Sequence, residues 1–289
     1  MEPDALVSLV HLHTPFRVRS HRLLLDGWDN VVLLANGSHV FRFTRRPDVT
    51  GQLRKEAQLL PVLLRRLTLR VPVPEYTWTS GPLPHFMGYR LIPGEQLRAS
   101  HLGDSGSRVA SSLALFLTQL QGVPLGEAGD LVPRHTGSDW RCLYLVLREE
   151  AQRLIAPRLS SAAASDLLWD LDAYLEDPAN FRFGPRLIHR DLSSDHILHD
   201  SATGSLTGVI DWGDACAGDP AFDLTGLLSD YGTSFAEAVA AAKGDPPEYL
   251  GRAAFYARIV GVHQVLHGLD VGDGAHVGAG LRRLETVYA

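Results

Sequence analysis

Residues 186–223 constrain the fold of this chain more than any other stretch: RLIHRDLSSDHILHDSATGSLTGVIDWGDACAGDPAFD. Two short apolar runs each end at an acidic residue. Arg186-Leu187-Ile188 leads into His189-Arg190-Asp191, and Leu206 to Ile210 leads into Asp211. Between them lie Ile197-Leu198 and a turn-like segment, Ser201 to Ser205, that contains Gly204. The pattern predicts strand, loop, strand, turn, strand, with polar groups at the strand ends. Carboxylates just beyond buried strands are what a metal and phosphate site needs. The strands hold them rigidly while the loops leave them open.

Upstream of this stretch the hydrophobic period is mostly that of strands. After a short helix over residues 4–13, the runs Leu23-Leu24-Leu25, Val31 to Leu34 and Val40 to Phe43 are separated by the turn signals Asp26-Gly27 and Asn36-Gly37. Asn-Gly between apolar runs is a strong hairpin signal, so three antiparallel strands are expected. The first turn, Gly27-Trp28-Asp29-Asn30, lacks a GxGxxG pattern, and its plain reading is a β-turn. Residues 52–67 carry apolar side chains at three- and four-residue steps and predict a helix, kinked or restarted at Pro61. Glu56 on that helix reads either as a solvated surface acid or as a partner for Arg42 on the preceding strand. Strands over 75–79 and 86–92 follow, and the chain breaks at Pro93-Gly94.

Beyond that break the pattern is helical. Helices are expected over 111–121, from a Ser138-Asp139 cap to about Ile155, over 165–175, and from Pro220 onward with Asp219 before it. Segments 234–243, 247–268 and 276–288 complete the helical half, and 122–135, rich in Gly and Pro, reads as a loop. The fold class is therefore α+β with two lobes. A small antiparallel sheet with one helix would occupy residues 1–92, and a larger, mainly helical lobe residues 93–289.

Composition excludes several function classes. The chain has 289 residues, is 45% hydrophobic and 21% charged, and carries 33 acidic against 27 basic side chains for a formal charge of -6. That balance disfavours nucleic acid as a partner and suits a cationic small molecule. No apolar run reaches the length of a membrane span. The two cysteines, Cys142 and Cys216, fit no metal spacing, and the thirteen histidines are scattered without HExxH. A reducing, cytoplasmic setting is expected.

In the central stretch, Asp191 on a loop just after a strand can accept a proton from a substrate hydroxyl, with His189 bonding the loop backbone. His196 lies five residues on and Asp211 twenty residues on. An acidic oxygen at the end of the neighbouring strand suits Mg²⁺. A base, a metal clamp and a basic group are the minimal set for phosphoryl transfer.

With these parts in view, the chain resembles the aminoglycoside phosphotransferase family, relatives of the protein kinases, over nearly its whole length. The segments that carry the resemblance are GWDNVVLL, VFRFTRR, the helix with Glu56, GYRLIPGE, IHRDLSSDHIL, GVIDWGDA and GDPAFDL. The pair IHRDLSSDHIL and GVIDWGDACAGDP is most like the 2''-type aminoglycoside kinases, while VFRFTRRPDV is also like the macrolide phosphotransferases. The resemblance implies a protein-kinase-like fold and a phosphate donor, ATP or GTP, used with Mg²⁺. It implies Asp191 as catalytic base, Asp211 and His196 as metal ligands, and Arg42 on the phosphates with Glu56 paired to it. Gly27, Trp28, Asp29 and Asn30 would cover the phosphates, and Arg90 and Ile92 would offer backbone groups to the purine. Asp195, Asp214 and Asp230 would meet a polycationic acceptor; no dense acidic run follows the GDPAFD segment. Three residues depart from the family pattern: His196 for the commoner Asn, Arg42 for Lys, and Arg190 for a small or neutral residue. The expected function is phosphorylation of an aminoglycoside hydroxyl by a cytoplasmic monomer without nucleic-acid or membrane partners. The alternatives are a macrolide or small-metabolite kinase of the same fold, and a nucleotide-binding module without catalysis.

Overall fold

A computed structural model describes residues 2–24 and 29–288. Its first layer is a five-stranded antiparallel sheet of β1 (His21–Leu24), β2 (Asn30–Ala35), β3 (His39–Thr44), β4 (Pro74–Trp78) and β5 (Phe86–Arg90), in the order β1-β2-β3-β5-β4. The β2–β3 hairpin turns at Asn36 (φ 53°) and Gly37 (φ 64°). Two successive residues in the left-handed region make the tight turn that follows strand twist, and Asn-Gly reaches it with least strain. The register pairs Val32 with Arg42 and Arg42 with Met87, so Arg42 sits mid-strand in the central strand β3.

Two helices flank this sheet. α1 (Pro3–His13) buries Leu6 and Val10 against Val31, Leu33, Phe41, Phe43 and Phe86. α2 (Thr50–Leu64) covers the other face with Leu53, Leu59, Leu60 and Leu63. It runs through Pro61 without a restart. The ring removes one amide donor, for the carbonyl of Ala57, and this close to the helix end one lost bond is tolerated.

The remainder is mainly helical. After β6 (Glu95–Gln96) come α3 (Gly106–Gln121), the short α4 (Leu125–Ala128), α5 (Gly137–Glu150) and α6 (Ser161–Glu176). The cap of α5 is Thr136, not the expected Ser138: Thr136 Oγ1 accepts from the Asp139 N–H, and Asp139 accepts in return from the Thr136 N–H. This reciprocal box satisfies two end donors at once, which a lone Ser138 cannot. The central stretch then forms β7 (Arg186–Ile188), β8 (Ile197–His199), β9 (Leu206–Val209) and β10 (Cys216–Gly218). β6, β8 and β9 pair in one small sheet, and β7 pairs with β10 in another. α7 (Thr225–Tyr231), α8 (Thr233–Lys243), α9 (Pro247–Arg258), α10 (Val260–Val271) and α11 (Gly274–Val287) close the chain. The helix expected over 247–268 is thus two, broken at Ile259. The break aims α10 closely along α11: a Cβ on Gly261 would lie 2.8 Å from Leu284 and 2.9 Å from the Gly280 carbonyl oxygen.

One core runs from α2 through α3 (Leu113, Phe116, Leu117, Leu120) to Trp212 and α8. It joins the sheet layer to the small sheets and fixes how β3 and β9 face each other. Among the described residues, no single helix is long and apolar enough to cross a membrane.

Candidate active site

The loop after β7 is held from three sides. His189 is fully buried, and its two ring nitrogens do different work. Nε2 lies 3.0 Å from the Ile210 carbonyl oxygen, so it donates; Nδ1 accepts from the Asp191 N–H at 3.3 Å. Burial, and after it the neighbouring His196, depresses this imidazole to about 3, so it stays neutral and keeps that tautomer. One ring therefore ties the Asp191 loop to the end of β9. Asp223, also buried, accepts from the His189 N–H at 3.1 Å and the Arg190 N–H at 2.9 Å. Those bonds hold Arg190 at φ 70°, a conformation a non-glycine residue adopts under constraint. Further along, the Ser194 N–H donates to Asp230 Oδ2 at 2.7 Å.

Asp191 leaves this loop half exposed, with His196 Nδ1 3.4 Å from its Oδ2. His196 Nδ1 is nearer, at 2.7 Å, to the main-chain carbonyl of Asp191. A carbonyl only accepts, so Nδ1 carries a proton, and in the neutral ring Nε2 presents a lone pair. That lone pair looks toward Asp211 Oδ2, 3.7 Å away. Asp211 follows β9 at φ 63°, a second constrained residue within the same site. Its other oxygen, Oδ1, accepts from Arg42 Nη2 at 2.9 Å. Arg42 Nη1 donates to Glu56 Oε2 at 2.7 Å, so the guanidinium bridges α2 and the β9 end from the centre of β3. Lys55, next to Glu56, donates to the Ala215 carbonyl at 2.9 Å and fastens the segment after Asp211 to α2.

The electrostatics follow from this geometry. Burial pushes the Asp191 carboxyl up to about 6; His196 opposes that rise, and the carboxylates of Asp214, Asp211 and Asp195 add to it. For Asp211, burial works toward the neutral form, but Arg42 and then His196 outweigh it and hold the carboxyl below its usual range. His196 loses by burial and gains more from Asp191 and Asp211, which leaves it above the ordinary histidine range. Two carboxylates in one site are thus pushed apart: one poised to take a proton near neutral pH, the other firmly ionised.

The expected residues fall into two groups. Asp191, His196, Asp211, Arg42 and Glu56 are linked by the contacts above. Gly27 and Trp28 lie outside the described residues. Asp29 bonds Arg46 Nη2 at 2.8 Å, and Asn30 opens β2 with its side chain buried. The Arg90 side chain is exposed on Glu75 at 2.6 Å, while Ile92 is buried with a methyl group against Gly208. Asp195 is paired with Arg98 at 2.8 Å and Asp214 is exposed near Asp191 and Lys55. Asp230, expected to face an acceptor, spends one oxygen on the Ser194 amide, so it shapes the loop. Sequence reasoning did not assign the roles of Asp223 and Lys55. Asp223 closes the GDPAFD segment, but its partners are 33 and 34 residues upstream and no periodicity points to them.

The donor set, one carboxylate oxygen and one imidazole nitrogen, could hold a divalent cation. One oxygen of Asp211 is free of Arg42, and His196 Nε2, which carries a lone pair when the ring is neutral, faces the same place.

Comparison with known proteins agrees with this site. The chain matches the phosphotransferase enzyme family over residues 20–256. It is 30% identical to APH(2'')-IIIa in the structure of its GDP and kanamycin complex, with a TM-score of 0.91 and 98% of both chains covered. A macrolide 2'-phosphotransferase of type I shares the fold at a TM-score of 0.81 and 22% identity, over 97% of this chain and 96% of the other. In sequence, viomycin phosphotransferase of Streptomyces vinaceus is 28% identical over 209 residues, 68% of this chain and 69% of that protein. The chain belongs to the phosphotransferase enzyme family and is a nucleotide-dependent phosphotransferase acting on hydroxyl groups.

Proposed function

We propose that this enzyme phosphorylates a hydroxyl group of an aminoglycoside, with Asp191 as the base. Asp191 takes the proton of the acceptor hydroxyl as its oxygen bonds the terminal phosphorus of ATP or GTP, and the bond to the nucleoside diphosphate breaks in line. Arg42, held by Glu56, stands on the phosphate side. Its guanidinium is always charged and, with Nη1 on Glu56 and Nη2 on Asp211, would act there as a fixed positive charge. Asp211 Oδ2 and His196 Nε2 would hold Mg²⁺, which when bound neutralises charge on the phosphates. Asp29 and Asn30, with Gly27 and Trp28, would cover the phosphates. Backbone groups at Arg90 and Ile92 would meet the purine, where residues 1–92 give way to 93–289.

The observation that carries the acceptor class is the cluster of carboxylates around Asp191: exposed Asp214, with Asp211 and Asp195 each held by one arginine. Such a cluster draws a polycation to the reacting centre. APH(2'')-IIIa, similar over its whole length, has been solved with kanamycin. A macrolide acceptor is the second reading. It draws on a cavity of about 380 Å³ beside Arg190, walled by Trp140, Leu143, Val146, Phe222 and His263, that an apolar acceptor would fill. The enzyme would act as a cytoplasmic monomer, and its net charge of -6 suits a small cationic acceptor.

The test is turnover with kanamycin, a macrolide and simple polyols, using ATP and GTP, for the wild type and Asp191→Ala. Kanamycin is expected to be phosphorylated, and the substitution to lower kcat by about 10²–10⁴-fold with nucleotide affinity kept. Nucleotide binding without transfer to any acceptor would leave a non-catalytic binding module. Unchanged kcat in Asp191→Ala would remove the base from its role.

A further inference from the structure

A second group of metal-ligating side chains lies outside the site just described. Glu95 on β6 stands directly across from His199 on β8 in the antiparallel register. Gly94 lets the two strands meet: its φ is 122°, and a Cβ there would sit 2.5 Å from the His199 carbonyl oxygen. His101 ends the turn that follows β6, its Nδ1 accepting the Arg98 N–H at 3.0 Å. His199 Nε2 is 3.0 Å from His101 Nδ1 and 3.8 Å from Glu95 Oε1. One donor atom from each residue falls within 4.8 Å of the others.

Neither neutral form of His199 settles this pair of rings. If His199 carries its proton on Nε2, that N–H and the Arg98 N–H compete for the one lone pair of His101 Nδ1. The Nδ1 of His199, buried without a hydrogen-bond partner, is then an orphaned acceptor. If the proton is on Nδ1, beside the Asp200 backbone, the Nε2 lone pair faces that of His101 Nδ1 across 3.0 Å. In that form a cation beside the Glu95 carboxylate would relieve the facing lone pairs, taking the His101 Nδ1 lone pair from the Arg98 N–H.

We propose that Glu95, His101 and His199 bind a divalent transition-metal ion of the zinc class, where the chain leaves the five-stranded sheet. Two imidazoles and one carboxylate are borderline donors that select zinc-like ions over magnesium. Zinc–ligand distances near 2.0–2.2 Å in a tetrahedral site place donor atoms about 3.3 Å apart. The separations of 3.0 and 3.8 Å bracket that value. Glu95 and His101 are exposed, so a fourth position is open to water. Burial, and then His101, keeps the His199 ring below the usual histidine range, so it is neutral and ready to ligate. The ion would tie the segment after β5 to β8, whose last residue, His199, lies three residues after His196.

The experiment is zinc titration of the full chain by calorimetry and by thermal unfolding. It is done on His196→Ala so that zinc uptake at the first site does not mask the second. The expected result is saturable uptake of one ion with a rise in the unfolding temperature. His101→Ala, a surface change that leaves folding in place, is expected to weaken that uptake at least about tenfold, and Glu95→Gln to weaken it as well. Uptake that survives both substitutions unchanged, or no saturable uptake in His196→Ala, would overturn the assignment.

Discussion

Arg42 and Arg252 are both buried against carboxylates, and what surrounds them differs. Arg252 grips Asp219 with two bonds, of 2.6 and 2.9 Å, and Tyr256 adds its hydroxyl at 2.7 Å. Tyr174 and Trp140 in turn bond the Tyr256 hydroxyl at 2.8 and 3.0 Å. Asp219 is fully buried, and both of its carboxylate oxygens are answered by protein groups. Arg42 also holds two short bonds, but they go to two different carboxylates. Glu56 is sealed, while the Asp211 side chain is 44% exposed and keeps one oxygen turned to His196. The first cluster closes on itself and locks α9 to the strand end before α7. The second leaves one valence open toward the cleft. A sealed network serves the fold; a network with one unanswered group, held by two residues in constrained backbone conformations, serves chemistry.

Arg252→Ala puts this contrast under the greatest load. It leaves Asp219 buried and unpaired and is expected to lower stability by about 3–5 kcal/mol in urea unfolding. The kcat/KM of the protein that remains folded should change little. A small stability loss with a large loss of activity would reverse the two roles. Asp211→Asn is the counterpart on the other cluster. The amide oxygen can still accept from Arg42, so stability should move by less than about 1 kcal/mol. Activity is expected to fall about 100-fold or more as the open charge is lost. Equal losses in both quantities would show that the two clusters do the same job.

The smallest effect is in pH dependence. With Asp191 pushed up to about 6, kcat/KM should fall as pH drops through that value, because the protonated carboxyl cannot accept the hydroxyl proton. Asp214→Asn removes a like charge and should move this limb to lower pH. A limb that stays in place would mean that Asp214 does not act on the group that titrates.

Local sequence was enough for much of the fold. Asn36-Gly37 marked the hairpin that puts Arg42 on a central strand, because the left-handed conformations it requires suit few other residues. Apolar steps marked α2 and so carried Glu56 to the right face of the sheet. Other features had no local signature. The split at Ile259 has no Pro or Gly at that position and exists because α10 must lie along α11. β10 is three small residues whose strand character comes only from pairing with β7. Asp230 looks like any helix-surface acid until the Ser194 amide is set beside it. Asp29 could be placed at a turn but not on Arg46, since a side-chain pair 17 residues apart leaves no trace in periodicity.

The order of residues along the chain names the groups the site contains: carboxylates at Asp191 and Asp211 just past short strands, with His196 between them and a basic strand residue upstream. Strand ends and turns are set by steric preferences of a few adjacent residues, so they can be read directly. What those groups can do was settled by contacts between distant segments. The bond between Arg42 and Asp211 spans 169 residues. The tautomers of His189 and His196 are set by carbonyls they meet only in the folded chain. The pKa of Asp191 is raised by burial and by charges brought in from other loops. Proton placement and charge state depend on distance and desolvation, and these come into being when the core that joins the sheet to the helices closes.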